Sequence, residues 1–211
     1  MKLEELLNEA PLPDTWDKEV YNDRTSFAKR IAYAKDRAAK IGTGSSRVAF
    51  EVAYEGRPTI LKIAKNVKGM HQNEYEAGML SDYYLKGLQL TIPMIDYDEQ
   101  SNQPTWIHTE KAGKVTPTMF KKFFGGMTPD DLVAYAKKSL GRKTYRDTSK
   151  FQGISENNEH VSDFIDLIGN YDIAEGDLSR LANWGVFNNS LVIIDIGGSS
   201  QIINDLYLKR R

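Results

Sequence analysis

The sequence predicts an α+β fold in two parts, a strand-rich first half built around one main helix and a mostly helical second half. Val48, Phe50, Val52 and Tyr54 alternate with Ala49, Glu51 and Ala53, the period-two pattern of a half-buried strand, and Thr59 to Ala64 supplies a return strand. In the second half Val161, Phe164, Ile165 and Ile168 fall at i, i+3, i+4 and i+7, one face of a helix. The chain has 211 residues, 40% apolar and 27% charged, which suits one globular domain or a two-lobed unit with a real core.

The elements follow in order. The first 23 residues set Lys2 and Lys18 against seven carboxylates, a balance of -5, and Pro11 and Pro13 break this acidic arm. Asp23 to Lys40 reads as one amphipathic helix through Phe27, Ile31, Ala34 and Ala38. The glycine-rich run Ile41 to Val48 joins two strands, and Glu55-Gly56-Arg57-Pro58 turns the chain into the next. Met70 to Leu85 is helical in pattern, with Tyr75, Met79 and Tyr83 on one stripe and Leu80 and Tyr84 beside it. Strands at Met94 to Tyr97 and Thr105 to Thr109 flank the polar turn Glu99 to Gln103, so the first half orders as β, β, β, α, β, β. Helices are expected at Thr116 to Phe124, Pro129 to Leu140 and Glu159 to Ile168, with a long loop over Thr144 to Asn158. Trp184 to Phe187 and Leu191 to Ile194 form a hairpin around Asn188-Asn189-Ser190. The expected division is an arm and helix over 1–37, a small five-stranded lobe over 38–110, and a large lobe over 111–211 with a basic insertion near 121–150.

Composition narrows the chemistry. With no cysteine, neither disulfides, thiolate metal sites nor cysteine nucleophiles can operate. Lys plus Arg is 28 against 29 Asp plus Glu, and a net charge of -1 points to no polyanion-binding role for the whole chain. The longest apolar runs, as in Leu191 to Ile194, are far too short to span a membrane, and the acidic N-terminus does not read as a secretory signal; a cytoplasmic protein is expected. His71, His108 and His160 lack ligand-like spacing and are assigned no metal, and no Gly-x-Ser-x-Gly elbow supports a serine hydrolase.

Two groups of residues carry candidate chemistry. In the first, Gly42, Gly44 and Ser45 lie in a loop between strands rather than before a helix, which suits a flap whose backbone N–H groups cover phosphates; taken alone it is also an ordinary tight turn. Lys62, in the apolar strand Ile60 to Ala64, must snorkel or meet an anion. Glu76 borders the buried stripe of the next helix, and a buried-edge carboxylate wants a cation; paired with it, Lys62 would be fixed against phosphate oxygens. In the second group Asp195 follows four apolar residues at a strand end, where Mg²⁺ would relieve the cost of its charge. Asn183 is a neutral oxygen ligand for the same cation, and Asp177 is placed to accept a proton from an attacking hydroxyl. Each also reads as a cap or turn residue when taken singly.

In sequence order these features are a hairpin glycine loop, a strand lysine, a helix glutamate, an Asp with a following Asn and a strand-end Asp-x-Gly. Over about Ala38 to Gly198 the chain therefore resembles a divergent, minimal protein-kinase-like protein. The wording of Gly44 to Arg47, Leu61 to Asn66, Lys68 to Glu76 and Leu191 to Gly197 is similar to kinase-like proteins of tailed bacteriophages. The resemblance implies a two-lobed kinase-like fold and an ATP- and Mg²⁺-dependent transfer of the γ-phosphoryl group to a hydroxyl acceptor. Gly42, Gly44 and Ser45 would form the phosphate flap, Lys62 and Glu76 the ion pair, Asp177 the catalytic base, and Asn183 and Asp195 the metal ligands. The backbone around Glu110-Lys111-Ala112 would meet adenine. If phage-encoded, the protein would act in the host cytoplasm or travel in the virion.

The departures matter too. Ser46 and Arg47 stand where a third flap glycine is usual, the triplet before the catalytic loop reads Glu175-Gly176-Asp177, and six residues rather than five separate Asp177 from Asn183. Only 13 residues follow Gly198, too few for the activation segment and helical platform that hold a peptide substrate. These support an alternative, an inactive pseudokinase acting as a binding or regulatory protein; a third reading is an unrelated α+β binding module. Residues 121–150 set eight cations against three carboxylates, a balance of +5, and are either a solvated helical face or a docking surface for an acidic partner, the acidic arm included. Nucleic acid is disfavoured there because aromatic residues are not interleaved with the basic ones.

Overall fold

The computed structural model describes residues 24–199 together with Val20 and Ile202. The acidic arm, Val20 apart, and its expected pairing with the basic face lie outside the described residues. The chain divides into two compact units, Met1–Gly78 with Pro93–Lys111, and Met79–Ile92 with Ala112–Arg211.

In the first unit, Ser26 caps helix α1 (Phe27–Lys35) by accepting from the Lys29 amide. The helix stops at Asp36, well short of Lys40, because Ala39–Thr43 is strand β1, whose backbone pairs with β2 (Arg47–Tyr54) in the register Ala39↔Glu51 and Thr43↔Val48. Ladder hydrogen bonds outweigh the helical pattern that runs on through Ala38. The β2 to β3 turn has two residues, Glu55 and Gly56, both at positive φ (48° and 75°), so Arg57 and Pro58 belong to β3 (Arg57–Ala64) rather than to the turn. With β4 (Met94–Tyr97) and β5 (Trp106–Glu110) the strands form the expected five-stranded sheet, antiparallel throughout, in the order β1-β2-β3-β5-β4. One face carries Val48, Phe50, Val52, Leu61, Ile63 and Trp106, which make a buried core with Ala34 of α1 and Val20. The register puts Ala49, Lys62 and Ile107 side by side on the opposite face.

Helix α2 (Val67–Ser81) begins at Asn66, whose side-chain oxygen accepts from the Gly69 amide. Its buried positions are Gly69, Asn73, Glu76, Ala77, Met79 and Leu80, one helical face that includes two polar side chains. Of the expected stripe through Tyr75, Met79 and Tyr83, with Leu80 and Tyr84 beside it, Met79 and Leu80 are buried. Tyr83 is 92% exposed, because Asp82 takes an extended conformation, accepts from the Leu85 amide and starts a separate helix, α3 (Tyr83–Leu88).

The second unit holds α3, α4 (Pro117–Phe123), α5 (Pro129–Ser139), α6 (Glu159–Asn170) and the short α7 (Glu175–Leu178), with a small sheet β6 (Gly113–Lys114), β7 (Trp184–Phe187) and β8 (Ser190–Ile193) in that order. The β7 to β8 turn is Asn188-Asn189 alone, both at positive φ, and Ser190 already pairs with Phe187. Phe120, Phe124, Phe164 and Trp184 interlock at the centre, and the Trp184 indole donates to the Leu178 carbonyl at 2.9 Å. Leu90 to Ile92 is strapped to β8 by hydrogen bonds between Ile92 and Ile193 and between Ile193 and Leu90, which places this stretch in the second unit. The stretch 144–158 contains two 3-10 turns, Ser149–Phe151 and Ile154–Glu156, with Phe151 buried. Among the described residues no helix is long and apolar enough to cross a membrane.

Candidate functional site

Lys62 lies mid-strand in β3, 8% exposed, and its ammonium donates to Glu76 Oε1. Glu76 has no exposed surface, which an ionised carboxylate tolerates only with strong partners. It has a second one that the sequence did not suggest. Arg47, at the start of β2, donates to Glu76 Oε2 at 2.5 Å and to Asn73 Oδ1 at 3.3 Å. Asn73, also fully buried, donates in turn to the Pro104 carbonyl at 3.1 Å. A buried chain of hydrogen bonds thus runs from the β4 to β5 connection through α2 to β2 and β3.

The glycine loop is a tight turn bound to its surroundings. Gly44 donates its N–H to the Arg47 carbonyl at 2.9 Å, and its own carbonyl accepts from Lys65 Nζ at 2.8 Å. Asn66 donates to the Ser45 carbonyl, the Lys65 amide donates to the Ser46 carbonyl at 2.7 Å, and Ser46 Oγ donates to Gln72. Neither Gly42 nor Gly44 has positive φ, and a Cβ on either would meet only ordinary contacts at 3.8 to 3.9 Å. The glycine the turn does require is Gly69, where a Cβ would stand 2.2 Å from the Ser46 carbonyl.

In the second unit, α7 and the turn after it bring Asp177 and Asn183 together. Asn183 Nδ2 donates to the Asp177 carbonyl at 3.0 Å, and its carbonyl accepts from the Ile194 amide at 2.8 Å, one residue before Asp195. The Ala174 amide donates to Gly198 at 2.8 Å, so the segment before Asp177 is stitched to the segment after Asp195. A Cβ on Gly198 would lie 2.8 Å from Asp177 Oδ2, so the carboxylate packs against backbone that only glycine leaves open. Asp195, half-buried two residues past β8, accepts from the Gly197 amide, and Arg180 Nη1 stands 3.5 Å from Asp177 Oδ1. With Nδ2 of Asn183 committed to the Asp177 carbonyl, its Oδ1 is the oxygen it would offer a cation, as the Asp195 carboxylate would offer its own. This hard donor pair fits Mg²⁺, which takes one or two protein ligands and fills the rest of its shell with water and phosphate oxygens.

Glu110 ends β5; its carboxylate holds Arg57 at 2.6 Å and its amide donates to Pro93 at 2.9 Å. The carboxylate bonds raise the Arg57 pKa, the Glu110 hydrogen bond most of all and then that of Glu55, which holds Arg57 Nη1 at 2.7 Å. The boundary between the units falls between Lys111 and Ala112. His108 is a buried strand residue whose Nε2 meets Thr59 Oγ1 at 2.7 Å, and His160 stacks on Phe123. Much of the basic insertion is engaged internally: Lys137 pairs with Glu175 at 2.6 Å, Arg146 with Asp131 at 2.9 Å, and Arg142 donates to the Ile168 carbonyl. One aromatic residue, Tyr145, does stand exposed among these cations, with the Lys143 ammonium 5.0 Å from its ring.

No protein-family model matches the sequence, and no curated protein matches it. Among solved structures, a crystal structure of aminoglycoside phosphotransferase APH(4)-Ia is similar over 53% of this chain and 36% of that one, at 18% identity and a TM-score of 0.28. A thermostable mutant of that enzyme in ternary complex with AMP-PNP and hygromycin B is similar over 76% of this chain and 66% of that one, at 13% identity and a TM-score of 0.37. Its complex with ADP and hygromycin B has the same coverage and identity and a TM-score of 0.34. The chain spans between about a third and two thirds of the length of these structures. TM-scores this low carry no weight for the site, whose chemistry stands on its own side chains.

Proposed function

We propose that the chain is a phosphotransferase of kinase-like fold that uses ATP and Mg²⁺ to phosphorylate a hydroxyl acceptor. The observation that carries this is the buried Lys62–Glu76 pair, an ammonium held in one place by a carboxylate with no exposed surface, as the positioning of a polyphosphate requires. In this reading Lys62 binds the α and β phosphates, the turn with Gly42, Gly44 and Ser45 lies over them, and the backbone of Glu110 and Ala112 meets adenine. Asn183 and Asp195 hold Mg²⁺, which when bound neutralises charge on the phosphates. Asp177 takes the proton from the acceptor hydroxyl. A small lobe over 38–110, a large lobe over 111–211, a phage origin, a cytoplasmic setting and an acidic partner at 121–150 belong to the same reading.

A pseudokinase is the second reading. It is favoured by the backbone of the glycine turn, where the Gly44 N–H is committed to Arg47 and the Gly44, Ser45 and Ser46 carbonyls to Lys65 and Asn66.

The two separate in one series. The wild type should unfold several degrees higher with MgATP at 100 times its dissociation constant, since linkage gives about 2.7 kcal/mol, and Asp195→Ala should lose the magnesium-dependent part. Asp177→Asn should keep that shift while losing turnover of ATP to ADP with water as acceptor. A shift in the wild type with turnover to neither water nor any supplied hydroxyl acceptor favours the pseudokinase, and no shift at millimolar MgATP sinks the phosphotransferase, leaving a pseudokinase that binds no nucleotide.

A further inference from the structure

Arg47 follows the glycine turn directly and has no part in the roles above. It is 8% exposed, and its Nη1 donates to both Asn73 Oδ1 and Glu76 Oε2 while Lys62 takes Glu76 Oε1, so each carboxylate oxygen has its own cation. The turn it leaves is tied down on its other side by Lys65, Asn66 and Gln72, and the close approach at Gly69 leaves it no slack toward α2. Turn, Arg47, Glu76 and Lys62 are therefore one continuous set of bonds. One Nη1 held between the two acceptors fixes the orientation of Glu76 and its distance from Asn73, and the rigid guanidinium keeps that nitrogen in place better than a shorter, flexible lysine stem would.

We propose that Arg47 is a positioning residue of the nucleotide site: it holds Glu76 turned toward Lys62 and ties that pair to the glycine turn, so the pair is assembled before any nucleotide arrives. This rests on the nucleotide-binding reading above. A site assembled in advance binds without first ordering its side chains, so the benefit appears in affinity for phosphates. The arrangement also gives the turn a use that does not depend on freely mobile glycines, in keeping with the ordinary φ angles of Gly42 and Gly44.

The experiment is the dissociation constant of MgATP, measured by calorimetry well below the unfolding transition, for the wild type, Arg47→Leu and Arg47→Lys. Both variants should weaken MgATP by roughly tenfold or more, the scale of a lost charge-assisted hydrogen bond, with Arg47→Lys failing to rescue because its shorter, flexible stem does not hold a nitrogen between Asn73 and Glu76. A merely structural role would lower the unfolding midpoint and leave the dissociation constant of the folded protein unchanged, and that result overturns the inference. So does wild-type affinity in Arg47→Lys, which also carries the test should Arg47→Leu fail to fold. If the wild type itself binds no MgATP, the function reading falls and this inference with it; if the wild type binds and the variants bind equally well, only this inference falls.

Discussion

A carboxylate with no exposed surface, gripped by a lysine from one strand and an arginine from the next, is costly to remove. Glu76→Ala would leave two buried cations facing each other, and the expected cost is about 3 to 5 kcal/mol, readable as a lower urea midpoint with an unchanged slope. A loss below about 1 kcal/mol would mean that water or other groups already stabilise those cations. Lys62 and Glu76 were legible because each sits among apolar neighbours where a charge needs a reason. Arg47 was not, since next to a glycine turn it reads as loop and its partner Glu76 lies 29 residues away. Of the second group, the residue types and order of Asp177, Asn183 and Asp195 could be read directly, but the bonds joining Asn183 to Asp177 and Ile194 could not.

Helix ends and turns decide the elements. Gly69→Ala should cost about 1 to 3 kcal/mol because its methyl group would stand 2.2 Å from the Ser46 carbonyl, whereas Gly42→Ala, with its nearest neighbour at 3.9 Å, should change stability by less than about 0.5 kcal/mol. Equal effects in thermal unfolding would mean that the turn gives way more easily than its bonds imply. At α5, Thr128 and Asp131 form a reciprocal capping box, and Thr128→Ala should cost about 1 kcal/mol. The same scale explains two misread elements. Residues 39–43 look like a continued helix until β2 offers them a ladder, and Asp82 ends one helix by capping another inside what periodicity reads as a single run. Short-range pattern cannot weigh a partner strand against a helix.

At the scale of the whole molecule, pH is the informative variable. The Asp82 carboxyl is held below its ordinary range first by the Tyr171 hydroxyl at 2.6 Å and then by the Leu85 amide. Burial pushes Asp131 up, but bonds from Thr128 and Arg146 outweigh it and the net direction is down; Asp147 is lowered by the Ser149 amide and hydroxyl. Groups depressed in the folded state add stability that is present above their unfolded pKa and lost as pH falls through the folded one. Stability should therefore drop on acidification below the usual carboxylate range, and the deficit of Asp82→Asn relative to wild type, clear near neutrality, should close there. A deficit that is constant with pH in a series of thermal melts rules out the Asp82 bond as its source. At the alkaline end Tyr171, pushed up to about 12 by burial and then by Asp82, favours the folded state below its unfolded pKa and ceases to as pH rises toward its own. The five-stranded sheet and the helical second half were readable from periodicity, but the membership of Met79–Ile92 in the second unit was not, because it depends on a parallel bridge from Thr91 to Ile193, over a hundred residues away.

The interlocked rings around Trp184 have an optical consequence. Trp184 is 2% exposed in the second unit and Trp106 is 6% exposed in the first, so each unit carries its own shielded indole. Emission from such indoles is blue-shifted and moves to longer wavelength as water reaches them. Replacing one with phenylalanine, and Trp16 of the acidic arm as well, leaves a single tryptophan whose emission reports the melting of one unit in the presence of the other.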